Sequence, residues 1–405
     1  MKIVVLGGAG GVGSVAVKAL ATQDDVTELV VADSRLEAAQ AVVDRLGRAG
    51  ARADVFDALD GASLQRVIAG ADCVLNCVGP FYRFGPPILR AAIAAGVRYV
   101  DICDDLAPTR EMLTLDAEAR DRGVRALIGM GNSPGLANLF VALCAQMFLD
   151  RVTGVDIMHI HGGEPEEGPA VIKHRIFAML NDIPLYLDGR FVSVRQLEAS
   201  GAAVTRDTEF RNVGTYPVYP YPHPETITLP EHIPGLRRAT NLGVIFPLAY
   251  FHLTQDMVRA GACGDRPLQV GDQAVVPIDF SVAHILSRRQ ALLDAAGITG
   301  PAGCLKVVVD GELGGEAQTI VFSLSSQSAG AGEGTGIPAA AGALMMARGA
   351  ITRTGVYPPE AAGPALETLM LTASIAKKLG SGGKESIHVE RIDAAGVHHD
   401  VPLPI

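Results

Sequence analysis

The first 150 residues alternate six short apolar runs with six helical patterns, and this alternation restricts the possible folds more than any other feature. Several runs are continuous Val, Ile and Leu stretches, as in parallel strands that are buried on both faces. The pattern predicts an α/β fold with an open parallel sheet and helices on both faces. The predicted strands are Lys2–Gly7, Thr27–Asp33, Arg52–Asp57, Asp72–Gly79, Arg98–Asp104 and Arg125–Met130. The predicted helices are Val12–Thr22, Arg35–Arg48, Ala62–Ala69, Pro86–Ala95, Pro108–Arg122 and Leu136–Phe148.

The segment GGAGGVG, residues 7–13, follows the first predicted strand and opens the first predicted helix. In its Gly-x-Gly-x-x-Gly spacing, Gly8 permits a tight turn, Gly10 lets the backbone approach a pyrophosphate, and Gly13 allows close helix–strand packing. The N–H groups and the positive dipole end of the helix favour phosphate there. Because strand, glycines and helix agree, we predict a dinucleotide-binding site rather than a flexible glycine turn.

An acidic residue, Asp33, ends the second predicted strand 20 residues after Gly13. A carboxylate here binds the ribose hydroxyls and disfavours a 2′-phosphate, which favours NAD over NADP. Arg35 leaves NADP open, because its guanidinium can stack on adenine or bind a 2′-phosphate. Asp57 has two equal alternatives, the adenine amino group or the cap of the next turn. The predicted cofactor residues are Gly8, Ala9, Gly10, Gly11, Val12, Gly13, Asp33, Ser34, Arg35, Asp57, Asn76, Cys77, Val78, Gly79 and Pro80.

The segment NCVGPFYRFGPP, residues 76–87, follows the fourth predicted strand. It lies at the carboxyl edge of the sheet, where ligands bind in folds of this kind. A turn is expected at Gly79-Pro80, and Phe81 and Tyr82 are predicted on the loop that follows. Two interpretations stay open for these rings, a packed loop or a wall beside a nicotinamide.

The segment VRYVDICDD ends the fifth predicted strand with Asp101, Asp104 and Asp105. Crowded carboxylates raise one another's pKa, which suits a general acid or base. A helix cap explains at most one of them, Asp105. No His or Cys apart from Cys103 has ligand spacing to this cluster, so we predict no metal site.

The net charge of −10 argues against a nucleic-acid or anionic-membrane surface, which needs a basic excess. The six cysteines lack CxxC spacing and indicate reduced thiols in a cytoplasmic protein. No apolar run reaches the roughly 18 residues of a membrane span. The apolar N-terminus is interpreted as the first strand rather than a signal peptide, because glycines begin at Gly7.

Six segments together resemble the saccharopine dehydrogenase-like oxidoreductases. They are GGAGGVGS, NCVGPFYRFG, YVDICDD, GNSPGLAN, GTGIPAAAGALMMARG and GVYPPE. Lysine 6-dehydrogenase and carboxynorspermidine dehydrogenase are the most similar family members by pattern. The resemblance implies hydride transfer between NAD(P) and the carbon of a C–N bond, a small amino acid, amine or imine substrate, and a homodimer.

The resemblance also implies a discontinuous Rossmann-type domain and an inserted mixed-sheet α+β domain. We assign residues 1–130 and 336–405 to the first and 131–335 to the second, for substrate and dimer contacts. The Gly/Ala/Ser-rich stretch 325–336 leads to a predicted helix near Pro338, which returns the chain to the first domain. Proline density is predicted to exclude a helix from residues 215–230.

The resemblance divides the roles of the three acids. It makes Asp101 a backbone anchor and turns Asp105 toward the site, while Asp104 stands where the family usually has Gly and favours a cationic substrate. The segment HPETITLP would line the site, although a solvated proline loop is an equal alternative. The catalytic candidates are Asp105, Asp104, His223 and Glu225. The substrate candidates are Phe81, Tyr82, Asn132, Ser133, Pro134, His174, Arg175 and Thr335.

Three of these expectations rest on local chemistry. Asn132 or Ser133 can cap the helix that follows, whose N-terminus favours an anion. Arg175 can hold a substrate carboxylate through two parallel hydrogen bonds, although a solvated helix face is the commoner case. His159 and His161 share one strand face and are interpreted as pocket-lining or satisfied histidines rather than metal ligands.

We therefore predict an NAD(P)-dependent dehydrogenase that deaminates a primary amine of an amino acid oxidatively, as lysine 6-dehydrogenase does. The alternative within enzymes is NADPH-dependent imine reduction, as in carboxynorspermidine or saccharopine formation. An alternative from another class is a catalytically silent NAD-binding regulator or scaffold.

Overall fold

A computed structural model describes residues 1–164, 166–327, 331–381 and 387–403. The described residues form two large sheets and one small hairpin. The strands are β1 (Lys2–Leu6), β2 (Glu28–Asp33), β3 (Ala51–Val55), β4 (Cys73–Asn76), β5 (Tyr99–Asp101), β6 (Arg125–Leu127), β7 (Arg151–Gly162), β8 (Ile183–Leu187), β9 (Arg190–Val194), β10 (Arg206–Phe210), β11 (Gly214–Pro220), β12 (Arg238–Phe246), β13 (Leu268–Val270), β14 (Gln273–Val275), β15 (Ala302–Leu313), β16 (Glu316–Ser326), β17 (Gly355–Tyr357), β18 (Ile387–Ile392) and β19 (His398–Asp400).

The α-helices alternate with the strands in the first part of the chain. They are α1 (Gly11–Ala21), α2 (Leu36–Leu46), α3 (Gly61–Ile68), α4 (Phe81–Ala95), α5 (Leu106–Leu113), α6 (Asp116–Asp121), α7 (Leu136–Leu143), α8 (Pro169–Leu180), α9 (Ala199–Ala202), α10 (Glu225–His232), α11 (Leu248–Arg259), α12 (Pro277–Ala295), α13 (Ala331–Ala347) and α14 (Ala365–Lys378). A π-helical turn, Cys144–Phe148, extends α7, and a short 3₁₀ turn covers Pro359–Ala361.

The first sheet is parallel throughout and has the strand order β3-β2-β1-β4-β5-β6-β17. The order reverses between β1 and β4, and in such sheets a ligand binds at the carboxyl ends of the strands beside this point. The prediction of a doubly wound α/β fold is confirmed. The connection between β5 and β6 contains two helices, α5 and α6, where the sequence predicted one helix.

Successive residues of β1 explain why its sequence is apolar without alternation. Ile3 and Val5 pack into the cluster that contains α1 and α13, whereas Val4 and Leu6 pack into the cluster that contains α3 and α4. All four side chains are fully buried. Because side chains point alternately to the two faces of a strand, a strand covered by helices on both sides needs an apolar residue at every position.

Two expectations about helices were wrong. The helix α4 begins at Phe81 rather than Pro86, so Phe81 and Tyr82 lie in its first turn and not on a loop. The helix α10 begins at Glu225, inside the segment from which proline was expected to exclude a helix. Each helix carries its internal prolines after the first turn, where packing outweighs the local cost of the missing N–H.

The second sheet is mixed and has the order β10-β11-β12-β7-β15-β16-β18-β19, with the hairpin β8-β9 attached to β12. Only β12 and β7 pair in parallel within this path. Of the segment 336–405, assigned to the first domain, β17 joins the first sheet and β18 and β19 join the second. We keep the domain division as a proposal, with the two C-terminal strands moved to the second domain.

The helix α13 returns the chain to the first domain and lies against α1. It begins at Ala331, earlier than predicted, and residues 328–330 of the predicted connection lie outside the described residues. A Cβ on Gly336 would lie 2.8 Å from the Val12 carbonyl oxygen, so the glycine permits this close helix contact. Within the described ranges, the helices are too short or too polar to span a membrane.

Candidate functional site between the two sheets

The glycine turn after β1 has the geometry of a phosphate cradle. A Cβ on Gly13 would lie 2.1 Å from the Gly7 carbonyl oxygen, and Gly7 itself has a φ of +72°. The Gly10 amide donates to that same oxygen at 3.0 Å, and α1 starts at the next residue without a side-chain cap from the described residues. The first-turn N–H groups of α1 are therefore directed at the space where an anion would lie.

Asp33 lies at the end of β2, beside this turn. Its carboxylate accepts hydrogen bonds from the backbone amides of Ala9 and Arg35, each at 3.2 Å. The guanidinium Nε of Arg35 lies 3.9 Å from the same carboxylate, and the Arg35 side chain is 73% exposed. Both candidates for ribose or 2′-phosphate contact therefore lie at one edge of the predicted cofactor site.

The other predicted cofactor residues occupy different environments. Asp57 is exposed and accepts a hydrogen bond from the Leu59 amide at 2.8 Å, which is the turn-capping alternative. Ser34 is exposed. The segment 76–80 follows β4, where the Asn76 side chain accepts from the Val78 amide at 3.0 Å and holds the backbone at the carboxyl edge.

A chain of hydrogen bonds ties the carboxyl ends of β4, β5 and β6 together. The Asn76 side-chain amide donates to the Tyr99 hydroxyl at 2.9 Å, and this hydroxyl donates to Asp101 at 3.0 Å. Asp101 also accepts from the amides of Cys103 at 3.0 Å and Gly129 at 2.7 Å. These contacts make Asp101 a backbone anchor, as the resemblance implied. Burial raises the pKa of Asp101 to about 6 against these hydrogen bonds.

Asp105 faces the second sheet rather than its own helix. It occupies the N-cap position of α5, yet its carboxylate makes no cap hydrogen bond and lies 3.7 Å from His174 Nδ1. Burial and then the charge of Asp104 raise the pKa of Asp105, whereas His174 and His223 oppose that rise. The cap expectation for Asp105 was therefore wrong, and its carboxylate is available to the site.

Glu225 is fully buried where the two sheets meet. Ser133, after β6, donates its hydroxyl to Glu225 Oε1, and Asn241 on β12 lies 3.3 Å from that hydroxyl oxygen. His223 Nδ1 lies 3.3 Å from Glu225 Oε2. The α7 helix is closed instead by Asn138, whose side chain accepts from the Gly135 amide at 2.8 Å, so the prediction that Asn132 or Ser133 caps it was wrong.

His223 and His159 are neighbours, and their pKa values are shifted in opposite directions. Burial opposes the charged form of His223, but the carboxylate of Glu225 raises its pKa above the ordinary value. Burial, followed by the charges of His223 and His161, lowers the pKa of His159 well below its ordinary value. The two ring centroids are 5.6 Å apart.

Tyr221 lies at the centre of the polar cluster. Its ring centroid lies 5.4 Å from that of His159, 5.5 Å from that of His223 and 5.9 Å from that of His174. Burial raises the pKa of Tyr221, so the phenol stays neutral. The charges of Arg175, Asp104 and Asp105 act on the Tyr221 hydroxyl, Arg175 lowering its pKa and the two acids raising it.

Arg175 is a buried cation with incomplete hydrogen bonding. Its side chain is 1% exposed, Nη2 donates to Glu167, and the guanidinium stacks 5.2 Å above the Tyr250 ring. Among the described residues, Nε and Nη1 have no hydrogen-bond partner. A buried guanidinium normally satisfies its donors, so two free N–H-bearing atoms fit an absent anionic group.

Some of the remaining substrate candidates lie near the site, and others are packed against neighbouring residues. Asn132 has a buried side-chain oxygen without a partner among the described residues, and Thr335 on α13 packs against Gly131. Pro134 is buried beneath this turn. Phe81 is buried beside Gly85, whereas Tyr82 is 73% exposed. Thr335 lies in the second turn of α13, because this helix begins at Ala331 rather than near Pro338.

Sequence reasoning missed three members of the cluster, namely Tyr221, Asn241 and Glu360. Glu360 lies in the GVYPPE segment and accepts from the Asn138 side chain at 2.7 Å, and burial raises its pKa to about 7. The charge of Glu225 also opposes ionisation of Glu360. In the described part of the chain, no group of three His, Cys, Asp or Glu side chains could hold a metal ion.

Comparisons with known proteins agree with this architecture. Residues 3–127 match the family model described as the saccharopine dehydrogenase NADP binding domain. A carboxyaminopropylagmatine dehydrogenase from Synechocystis sp. is 25% identical over 379 residues, which cover 90% of this chain and 94% of that protein. A carboxynorspermidine synthase from Vibrio alginolyticus is 24% identical over 395 residues, with 88% and 91% coverage.

Saccharopine dehydrogenase (L-Glu forming) from Saccharomyces cerevisiae has a similar structure. It superimposes with a TM-score of 0.69 at 16% identity and covers 97% of this chain and 99% of its own. The resemblance inferred from the sequence segments is confirmed. Residues 3–127 are similar to the dinucleotide-binding domain of the saccharopine dehydrogenases, and the chain has the fold of saccharopine dehydrogenase (L-Glu forming).

The buried anchor Asp101 gives a testable pH dependence. Its pKa of about 6 exceeds the ordinary value of 3.8, so the folded protein holds the proton more tightly than the unfolded chain. The stability of the wild type relative to Asp101→Asn should therefore fall by about 1.4 kcal/mol per pH unit as pH rises between those two values, and then stay constant.

Urea denaturation of both proteins from pH 5 to pH 8 measures this difference. A relative stability that stays flat across pH 5 to 6, or rises there, would show that Asp101 is already ionised without cost in the folded protein. Asp101→Asn also leaves one donor facing the Tyr99 hydroxyl, so a constant loss of about 1–3 kcal/mol should accompany the pH effect.

Proposed function

We propose that this chain is an NAD(P)-dependent oxidoreductase that transfers hydride between a nicotinamide and the carbon of a C–N bond in an amine or amino acid. The observation that carries this proposal is the cluster of His159, His174, Tyr221 and His223 with Asp105, located at the carboxyl edge of the dinucleotide-binding sheet. A bound nicotinamide would accept or supply the hydride. The protein side chains would supply the proton transfers.

The chemistry of amines requires such a cluster. A carbon can lose hydride only when the attached nitrogen is uncharged, and an imine accepts hydride best when its nitrogen is protonated. Both directions need groups that exchange protons near neutral pH. Histidines and a carboxyl group of raised pKa meet this need, and the rings of His159, His174 and His223 surround that of Tyr221.

Of the two directions of this reaction, we favour the reduction of an imine to a secondary amine. The relatives that span most of the chain are named for carboxyaminopropylagmatine and carboxynorspermidine, and the structural neighbour is named for saccharopine. Oxidative deamination of a primary amine, favoured by the sequence segments, uses the same proton transfers in reverse. It remains the second candidate because Asp104 and Asp105 suit any cationic amine.

The site has an anionic pole and a cationic pole. The negative charges of Asp104 and Asp105 and the positive charge of Arg175, which has two donor nitrogens without partners among the described residues, all act on the Tyr221 hydroxyl. A substrate that carries an ammonium group and a carboxylate would satisfy both poles. We therefore propose an amino acid or a carboxylated amine as the substrate, with Arg175 holding the carboxylate.

A direct assay tests the proposed function. Purified protein is mixed with NADPH or NADH, an aldehyde or keto acid, and a panel of diamines, polyamines and amino acids. Absorbance at 340 nm should fall only when amine, carbonyl compound and reduced cofactor are all present, and secondary amine should be found by mass spectrometry. Absorbance that rises instead, with a primary amine and NAD(P)⁺ alone, would favour deamination.

Absence of turnover with every pair, together with tight NADPH binding, would contradict both enzyme assignments. It would support the silent regulator or scaffold. The homodimer implied by the resemblance stays a prediction that sedimentation of the same preparation can test.

We propose NADP as the preferred cofactor, in place of the NAD favoured by Asp33. Two backbone amides engage the Asp33 carboxylate, and the exposed Arg35 guanidinium lies beside it, free to meet a 2′-phosphate. The description of the matching family model as NADP-binding supports this choice. Arg35→Gln should lower kcat/KM for NADPH about tenfold or more, because one charge-assisted contact is lost.

NADH provides the internal control for this change, and its kcat/KM should stay within about twofold. Arg45→Gln, at an exposed arginine later on α2, is the matched control and should leave both cofactors unaffected. Equal losses with NADPH and NADH after Arg35→Gln would contradict the 2′-phosphate contact. A preference for NADH in the wild type would restore the original prediction.

The carboxylate-binding role of Arg175 makes a separate prediction. Arg175→Lys should raise KM for a carboxylate-bearing substrate about ten- to a hundredfold, because an ammonium group cannot reproduce the paired hydrogen bonds. KM for an analogue without the carboxylate should change little. Lys173→Gln is the control, because Lys173 is a half-exposed lysine on the same helix as Arg175 and is paired with Asp279 of α12. Equal effects on both substrates would assign Arg175 a structural role instead.

A further inference from the structure

His159 is held in an unusual notch of the second sheet. It pairs across β7 and β12 with Gly243, and a Cβ on that glycine would lie 2.1 Å from His159 Cε1. The Tyr221 ring lies edge-on to the imidazole, at an interplanar angle of 89°. The imidazole therefore occupies space that any other residue at position 243 would fill, and its orientation is fixed from both sides.

The Nε2 atom of His159 is buried, and no hydrogen-bond partner for it lies among the described residues. Buried polar atoms without partners are rare in folded proteins, and they are enriched where a ligand or a reacting group completes the contact. The side chain of Asn241 acts on the imidazole as a hydrogen-bonding neighbour, yet Nε2 itself has no partner within hydrogen-bond geometry among the described residues. The imidazole faces the cluster of Tyr221 and His223 that the proposed function uses.

His223 differs from His159 in its partner. Its Nδ1 lies 3.3 Å from the Oε2 atom of Glu225, and Ser133 and Asn241 hold Oε1 of the same carboxylate. His223 Nδ1 and Glu225 Oε2 do not meet hydrogen-bond geometry, so the carboxylate favours the charged form of the imidazole through its nearby charge. His159 has no acidic partner of this kind within the described residues, and its neighbours include the cationic His223.

From this geometry we infer that His159 and His223 form the acid–base pair of the site, with neutral His159 as the base and Glu225-paired His223 as the acid. The inference rests on the proposed formation of an imine, and it adds His159 to the residues that handle protons. Two neighbouring titratable groups with environments that favour opposite charge states are the usual basis of such a division.

The proton transfers balance within the pair when an ammonium condenses with a carbonyl group. His159 takes one ammonium proton, and the freed lone pair forms the C–N bond. His223 protonates the carbonyl oxygen and is recharged by the second proton of the nitrogen. His223 then protonates the hydroxyl group. The C–O bond breaks, water departs, and an iminium ion is formed. Transfer from His159 to His223 restores both side chains, and the nicotinamide supplies the hydride afterwards.

Several charged groups face this pair from the surrounding elements. Asp104 and Asp105 act on His223 from the end of β5, and Glu225 acts from α10. His161 acts on His159 from the same strand, and His174 on α8 lies beside Tyr221. The acids favour protonation of His223, whereas His223 and His161 disfavour protonation of His159 and the Asn241 side chain opposes them. The charged groups around the pair therefore reinforce the division.

The pH profile of kcat/KM tests the inference with the substrate pair found by the panel assay. The profile of the wild type should be bell-shaped. The value of kcat/KM should fall below about pH 6.5 as His159 becomes protonated, which is the acid limb, and should fall again above that pH as His223 loses its proton, which is the alkaline limb. His159→Gln should lower kcat about a hundredfold or more and abolish the acid limb. His223→Gln should abolish the alkaline limb. His161→Gln, on the exposed end of the same strand, should retain kcat and both limbs, with the acid limb moved slightly to higher pH because one group that disfavours protonation of His159 is removed.

Gly243→Ala provides a second variant that retains the histidine. The added Cβ must displace the imidazole, so kcat should fall while NADPH binding, measured by fluorescence, is retained. An acid limb that survives in His159→Gln, with kcat within twofold of the wild type, would overturn the inference. So would a loss in His161→Gln equal to that in His159→Gln.

Titration of the wild type by histidine NMR requires no turnover and separates this inference from the proposed function. His159 should stay neutral at pH values where His223 is protonated, with assignments from the two Gln variants. Similar titration of both rings, or protonation of His159 before His223, would overturn the acid–base pair even if turnover is found. If the two histidines titrate as expected but no turnover is found, the proposed function is contradicted and the difference between the two histidines stands.

Discussion

The buried carboxylate of Glu225 is the constraint on which the site depends. A fully buried charge is costly unless hydrogen bonds and an opposite charge compensate it. Ser133 provides one hydrogen bond from the first sheet, and His223 provides the opposite charge from the segment before α10. The two contacts exist together only when the two sheets are packed against each other. The position of His223 and the relation of the two sheets are therefore fixed by the same interaction.

The anchor at Asp101 has the same character on the cofactor side. Its carboxylate joins the ends of β5 and β6 through two backbone amides, and Tyr99 extends the network to Asn76 on β4. The edge of the sheet is thus rigid where β4 turns toward α4. The two buried acids therefore have different roles. Asp101 fixes the carboxyl edge of the first sheet, and Glu225 fixes the second sheet against this edge.

Much of the dinucleotide domain could be predicted because its signals are local. The continuous apolar strands, the Gly8-x-Gly10-x-x-Gly13 spacing and Asp33 each follow from contacts within a single β-α-β unit. The structure places Asp33 within hydrogen-bond distance of the glycine turn as expected. The helix starts at Phe81 and Glu225 could not be predicted, because each carries prolines whose local cost is outweighed by packing between distant segments.

The second half of the site depends on pairings that have no local signal. Nothing near His159 in the sequence indicates that Gly243, 84 residues later, lies beneath its ring, because this contact requires the parallel pairing of β7 with β12. Likewise, Tyr221 lies in a proline-rich segment, where its role depends on three histidines from different elements. The register of one strand pair therefore determines the chemistry available to this site. A shift by one residue would turn His159 to the opposite face of the sheet and would separate it from His223 and Tyr221.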